Sequence, residues 1–110
     1  MKFDPTLYFI TDSTGVSEGH LLEIVSQACA GGASMVQLRE KNRPAREYLW
    51  LAKAVKKVTD DYQVPLIIDD RVDIALASGA AGVHVGAEDL PVNEARKLMG
   101  PGKIVGATAK

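Results

Sequence analysis

Five short runs of apolar and β-branched residues recur along the chain: Leu7-Tyr8-Phe9-Ile10, Met35-Val36-Gln37-Leu38, Leu66-Ile67-Ile68, Val83-His84-Val85 and Ile104-Val105. Runs this apolar lack the alternation of a half-wet strand and read as parallel strands covered on both faces. Between them the apolar residues fall at helical spacing. From His20 to Ala30, Leu21, Leu22, Val25, Ala28 and Cys29 form one stripe, with Gly31-Gly32 as its stop. From Ala45 to Thr59 the stripe is Tyr48, Leu51, Ala52, Val55 and Val58; Pro44 suits the first turn, and Trp50 is expected to be a packing residue of this helix. A short helix over Val72–Ser78 ends at Gly79, and a fourth over Pro91–Met99 is expected to be capped by Asp89 and closed by Gly100.

The order β-α-β-α-β-α-β-α-β demands right-handed crossovers and a parallel sheet with helices outside it. Two α/β architectures satisfy that demand, the doubly wound sheet and the (β/α)8 TIM-type barrel. No G-x-G-x-x-G follows the first strand, so the dinucleotide-binding form of the open sheet loses its main support. A barrel needs eight strands and about 250 residues. With 110 residues, the chain is expected to be the N-terminal part of a single barrel domain, about five strands and four helices. It is then either a fragment of a longer protein or a homo-oligomer in which another copy completes the barrel, because an open Ile104-Val105 edge invites aggregation.

Charge excludes several classes of partner. Thirteen Lys and Arg against fourteen Asp and Glu give a net charge of -1, which argues against nucleic acid bound through bulk electrostatics. No apolar stretch approaches the roughly 20 residues that span a bilayer, and the start MKFDPTLYF does not resemble a signal peptide, so no membrane partner and a cytoplasmic location are expected. The single Cys29 fits a reducing compartment and reads as a packed helix residue.

The polar residues concentrate where strands end. In MVQLREK, Gln37, Arg39 and Lys41 stand at i, i+2, i+4 and share one face, which in a parallel barrel reads as a binding row at the strand's carboxyl end. The third strand runs into IIDDRVD. Asp69 and Asp70 repel each other unless a cation lies near, and one of them is expected to cap the following helix. The fourth strand gives GVHVGAEDLP, with Val83 and Val85 toward the helices, His84 inward, and Glu88 and Asp89 after its end. Cations from one strand and carboxylates from two neighbours are what a magnesium diphosphate needs: Arg39 and Lys41 for the phosphates, Asp70 and Asp89 for Mg2+, and Thr108 to donate a hydroxyl.

The segments YFITD, MVQLREK, VPLIIDDRVDIALASGAAGVHVGAEDLP and GKIVGAT, in this order, resemble the N-terminal half of thiamine-phosphate synthase. The resemblance implies a barrel transferase that joins hydroxymethylpyrimidine diphosphate to a thiazole phosphate with Mg2+ bound, releasing pyrophosphate. It implies further that the carbon–oxygen bond breaks first and the thiazole nitrogen captures the resulting cation. By position, Gln37 matches a pyrimidine contact, Arg39 and Lys41 the catalytic pair on the diphosphate, Asp70 and Asp89 the magnesium ligands, and His84 the thiazole side of the pocket. Thr108 stands where the family usually has serine, Asp69 where a substrate donor Asn is usual, and Ala87 where Gln is usual. The family's thiazole-phosphate site and a further diphosphate lysine belong to a C-terminal half. Two other functions compete: a thiazole tautomerase-like paralogue, against which the joint retention of these ligands weighs, and a noncatalytic half-barrel that senses a phosphorylated metabolite.

Overall fold

The computed structural model describes residues 7–86 and 89–108. Strands β1 (Tyr8–Ile10), β2 (Met35–Leu38), β3 (Leu66–Asp69), β4 (Gly82–Val85) and β5 (Ile104–Ala107) alternate with helices α1 (Glu18–Ala30), α2 (Ala45–Asp61), α3 (Val72–Ser78) and α4 (Val92–Met99). All four strand pairings are parallel, and the strand order in the sheet is the chain order. A doubly wound sheet reverses its order at a switch point, whereas this sheet advances one strand at a time in one direction, as the wall of a barrel does.

Every residue of β2 and β3 is buried, because both faces of the central strands are covered or turned into the sheet's concavity. Side chains alternate. Val36, Leu38, Leu66, Ile68, Val83 and Val85 belong to the core shared with Leu21, Val25, Leu51, Ala52, Val55, Ala75 and Met99 of the helices. The residues between them in sequence, Met35, Gln37, Ile67, Asp69 and His84, turn to the other face, so position in the strand decides which polar groups face the concavity. Cys29 is buried within α1's apolar stripe, as expected, and burial pushes its thiol pKa up. No helix among the described residues is long and apolar enough to cross a membrane.

Four local expectations change. Pro44 occupies the N-cap of α2 rather than its first turn. Trp50 is 61% exposed, because it sits between stripe positions on the helix's outer flank and has no neighbouring layer to enter. Arg71 is the N-cap of α3 and no side chain caps that helix, so neither Asp69 nor Asp70 does so. Pro91 is the N-cap of α4, and Asp89 instead accepts the N–H of Gly86 at 2.6 Å, bracing the loop after β4.

Gly82 opens β4 directly against Ile104 of β5. A Cβ built there would run into the Ile104 backbone oxygen and lie 2.7 Å from its Cβ, so only glycine allows the two strands to approach. Gly82→Ala is expected to lower unfolding stability by about 1–3 kcal/mol through forced strand separation, measured by urea denaturation. An unchanged midpoint would show that the β4–β5 contact yields at no cost.

Candidate functional site

At the carboxyl ends of the strands lies a cleft of about 420 Å³ lined by Tyr8, Ile10, Gln37, Arg39, Lys41, Asp69, Asp70, His84, Gly86 and Thr108. Seven of the eight sequence-derived candidates therefore share one concavity. The eighth, Asp89, reaches it through its carboxyl, which is close enough to Asp70 to share a hydrogen bond. Ala87 and Glu88 lie outside the described residues. A larger cleft, about 600 Å³, opens at the amino ends of the strands. Its two lysines are already engaged, Lys56 with Asp60 at 2.7 Å and Lys103 with the Ala80 carbonyl at 3.1 Å. Parallel α/β sheets bind their ligands at the opposite end, and the charged row is there.

Lys41 answers the repulsion between the adjacent carboxylates. Its ammonium lies 2.8 Å from Asp70 Oδ2 and 3.5 Å from Asp69 Oδ2. Burial pushes the Asp69 carboxyl above the usual carboxylate range, the charge of Asp70 adds to this, and Lys41 only partly opposes it. Asp70 is also partly buried, but hydrogen bonds from Asp89 and Lys41 outweigh that and hold its carboxyl below the usual range. Asp89 moves the other way, raised first by the hydrogen bond with Asp70 and then by burial. The hydrogen bond between the two acids thus favours ionisation of Asp70 over that of Asp89. Asp70 also has φ of 72°, a left-handed conformation that aspartate tolerates better than most residues, and its N–H donates to the His84 carbonyl at 2.8 Å.

Asp70 and Asp89, side by side, offer hard carboxylate oxygens to a cation. Among the described residues no group of three or more His, Cys, Asp or Glu is placed to enclose a metal. A pair of carboxylates matches the one or two that Mg2+ typically takes from a protein, water and phosphate oxygens filling its octahedron.

Several residues that hold this site escaped the sequence reading. The Tyr48 hydroxyl, read there as part of an apolar stripe, donates to the Leu38 carbonyl (3.1 Å) and the Asp69 carbonyl (2.8 Å), tying together the ends of β2 and β3. Glu40 is 6% exposed; it accepts from Ser13 Oγ at 2.6 Å and Arg43 Nε at 2.8 Å, locking the loop that carries Arg39 and Lys41. The N–H of Arg39 donates to Thr11 Oγ1 at 3.1 Å. Gln37 Nε2 donates to the Tyr8 hydroxyl at 2.7 Å, and His84 Nε2 lies 2.7 Å from Thr108 Oγ1. Only Glu40, an acid two residues after the end of a buried strand, carried a signal in the sequence. The others depend on contacts between residues up to 29 positions apart.

The family model described as thiamine monophosphate synthase matches residues 7–110. The chain belongs to the thiamine monophosphate synthase family. It is 54% identical over 104 residues to thiamine-phosphate synthase 2 of Streptococcus pneumoniae, covering 94% of this chain and 50% of that protein. It is also 54% identical over 108 residues to the thiamine-phosphate synthase of Ruminiclostridium cellulolyticum, covering 98% of this chain and 51% of the relative. The chain thus spans about half the length of these family members. The solved thiamine phosphate pyrophosphorylase from Pyrococcus furiosus superposes with a TM-score of 0.83 at 41% identity, over 94% of this chain and 49% of that one. The five strands and four helices are therefore the TIM-barrel fold of this family over half its extent. A rubisco-like protein from Burkholderia fungorum, 17% identical with a TM-score of 0.70, shares the fold alone.

Asp69 generates a pH prediction. A carboxyl raised in the folded state contributes stability in its protonated form; that contribution is complete below the ordinary value of 3.8 and is lost as pH rises through the folded value. Once ionised, Asp69 is therefore a burden that asparagine lacks. Asp69→Asn is expected to melt higher than the parent at pH 7, with the difference shrinking as the pH falls through and below 3.8. A lower melting temperature at pH 7 would mean that the Lys41 pairing outweighs burial.

Proposed function

We propose that this chain forms the pyrimidine-diphosphate half of a cytoplasmic thiamine-phosphate synthase, the first part of a (β/α)8 barrel that couples hydroxymethylpyrimidine diphosphate to thiazole phosphate. The observation that carries the reading is the meeting of Gln37, Arg39, Lys41, Asp69, Asp70, His84 and Thr108 in one cleft at the strands' carboxyl ends, beside Asp89. Membership of the family supports it, and so does a donor set suited to Mg2+.

In this reading Arg39 and Lys41 bind the diphosphate and hold its charge as the carbon–oxygen bond breaks, and Thr108 donates its hydroxyl to the same group. Gln37, oriented by Tyr8, recognises the pyrimidine; His84, held by Thr108, lines the side from which the thiazole nitrogen approaches. Asp70 and Asp89 hold Mg2+, which when bound neutralises charge on the leaving diphosphate. Asp69, where the family usually carries Asn, puts a carboxyl beside the diphosphate, and the Lys41 ammonium 3.5 Å away offsets part of its charge. The edges of β1 and β5 are the surfaces along which a C-terminal half or a second copy adds the remaining strands.

Calorimetric titration of the chain with hydroxymethylpyrimidine diphosphate is expected to give saturable binding that depends on Mg2+. Asp89→Asn should abolish the magnesium dependence while keeping an oxygen for the Gly86 N–H, whereas Gln37→Ala should weaken the pyrimidine ligand roughly tenfold and leave inorganic pyrophosphate nearly unaffected. Equal losses for both ligands in both variants would sink the division of roles. Because the thiazole site falls in the other half, the 110-residue chain alone is expected to form little or no thiamine phosphate; full turnover by the purified monomer would refute that.

A further inference from the structure

In the cleft the two cations do not behave alike. Lys41 is drawn onto the carboxylates, 2.8 Å from Asp70 and 3.5 Å from Asp69, while Arg39 lines the same cleft and is in neither pair. The Asp70 oxygen that Lys41 holds belongs to the acid assigned above to the metal. An ammonium and a divalent cation on one carboxylate repel each other in proportion to their charge product, so both do not occupy it at full strength.

We propose that Lys41 is the resident counter-ion of Asp70, that it competes with the divalent cation for this carboxylate, and that metal binding releases its ammonium to the incoming phosphate. The inference rests on the metal role of Asp70 and Asp89. The side chains suit such a handover. That of Lys41 is 54% exposed and ends a flexible four-carbon stem, so it can swing without disturbing the core, whereas Asp69 at 7% and Asp70 at 25% are held in place. Asp70 is fixed further by its N–H bond to the His84 carbonyl, and Asp89 by the Gly86 N–H. Linkage makes the arrangement reciprocal. Whatever the pairing contributes weakens the metal by the same factor, and an ammonium already released by the metal binds phosphate without first breaking an ion pair. The cleft thereby favours metal and diphosphate together over either alone.

The test is titration of the metal-free protein with Mn2+, following the free ion by electron spin resonance. Lys41→Met is expected to bind Mn2+ about threefold to fivefold more tightly than the parent, the range of a partly exposed ion pair. Arg39→Gln removes the same charge from the same cleft but no contact with the carboxylates, and should change the affinity by less than about twofold. A second readout follows the amine itself: acetylation of Lys41 by acetic anhydride, read by mass spectrometry, should quicken on Mn2+ addition while that of the exposed Lys53 on α2 does not. Unchanged affinity in Lys41→Met, equal tightening in both variants, or Lys41 labelling indifferent to Mn2+ would overturn the inference. Absence of Mn2+ binding by all three proteins would remove the metal role of Asp70 and Asp89 itself, a failure of the underlying reading that the other outcomes leave intact.

Discussion

A parallel strand covered on both faces can show polar chemistry only at its ends, and this condition orders the whole molecule. β2 and β3 are buried at every position, so their ladders are shielded from water along their length. The charges that follow them, Arg39 and Lys41 after one and Asp69 and Asp70 at the end of the other, meet at a single rim because the strands are parallel and in register. A cation and two carboxylates brought together there must satisfy one another, and Lys41 with Asp70 and Asp69 is the outcome. An antiparallel partner would have carried one of these groups to the far end of the sheet.

Burial at the rim has a second consequence. Polar groups that leave water need partners, and among the described residues no buried side-chain nitrogen or oxygen lacks one. Tyr48 serves two strand-end carbonyls, Glu40 is held between Ser13 and Arg43, and Asp89 is tied to Gly86. These bonds stand behind the ligand-facing side chains and fix where they point. The same residues explain why a rim made of loops can hold a defined arrangement of charge.

The order of elements was legible in the sequence because period-two and period-3.6 patterning are local properties, and all five strands and four helices lie where the patterning places them. The candidate site was legible for a related reason, since polar residues immediately after apolar runs fall at strand ends. The misses share a different origin. Asp89 looks like a helix cap from its spacing, yet its carboxyl prefers a loop N–H and a neighbouring acid. Trp50 looks like core from its size, but no second layer covers that flank of α2. Tyr48 is indistinguishable in pattern from the apolar residues that flank it, and its hydroxyl takes on a role only when two strand ends arrive beneath the helix.

Sequence alone determined the alternation of elements, the parallel sense of the sheet and the residue types gathered at the strand ends, because each follows from spacing along the chain. The strand order that separates a barrel wall from a doubly wound sheet was decided only in three dimensions, as were the pairing of Lys41 with Asp70 and the hydrogen bond between Asp70 and Asp89. The physical reason is that these depend on distances between residues 19 to 29 positions apart and on burial, and neither quantity exists until the crossovers have brought the strands together.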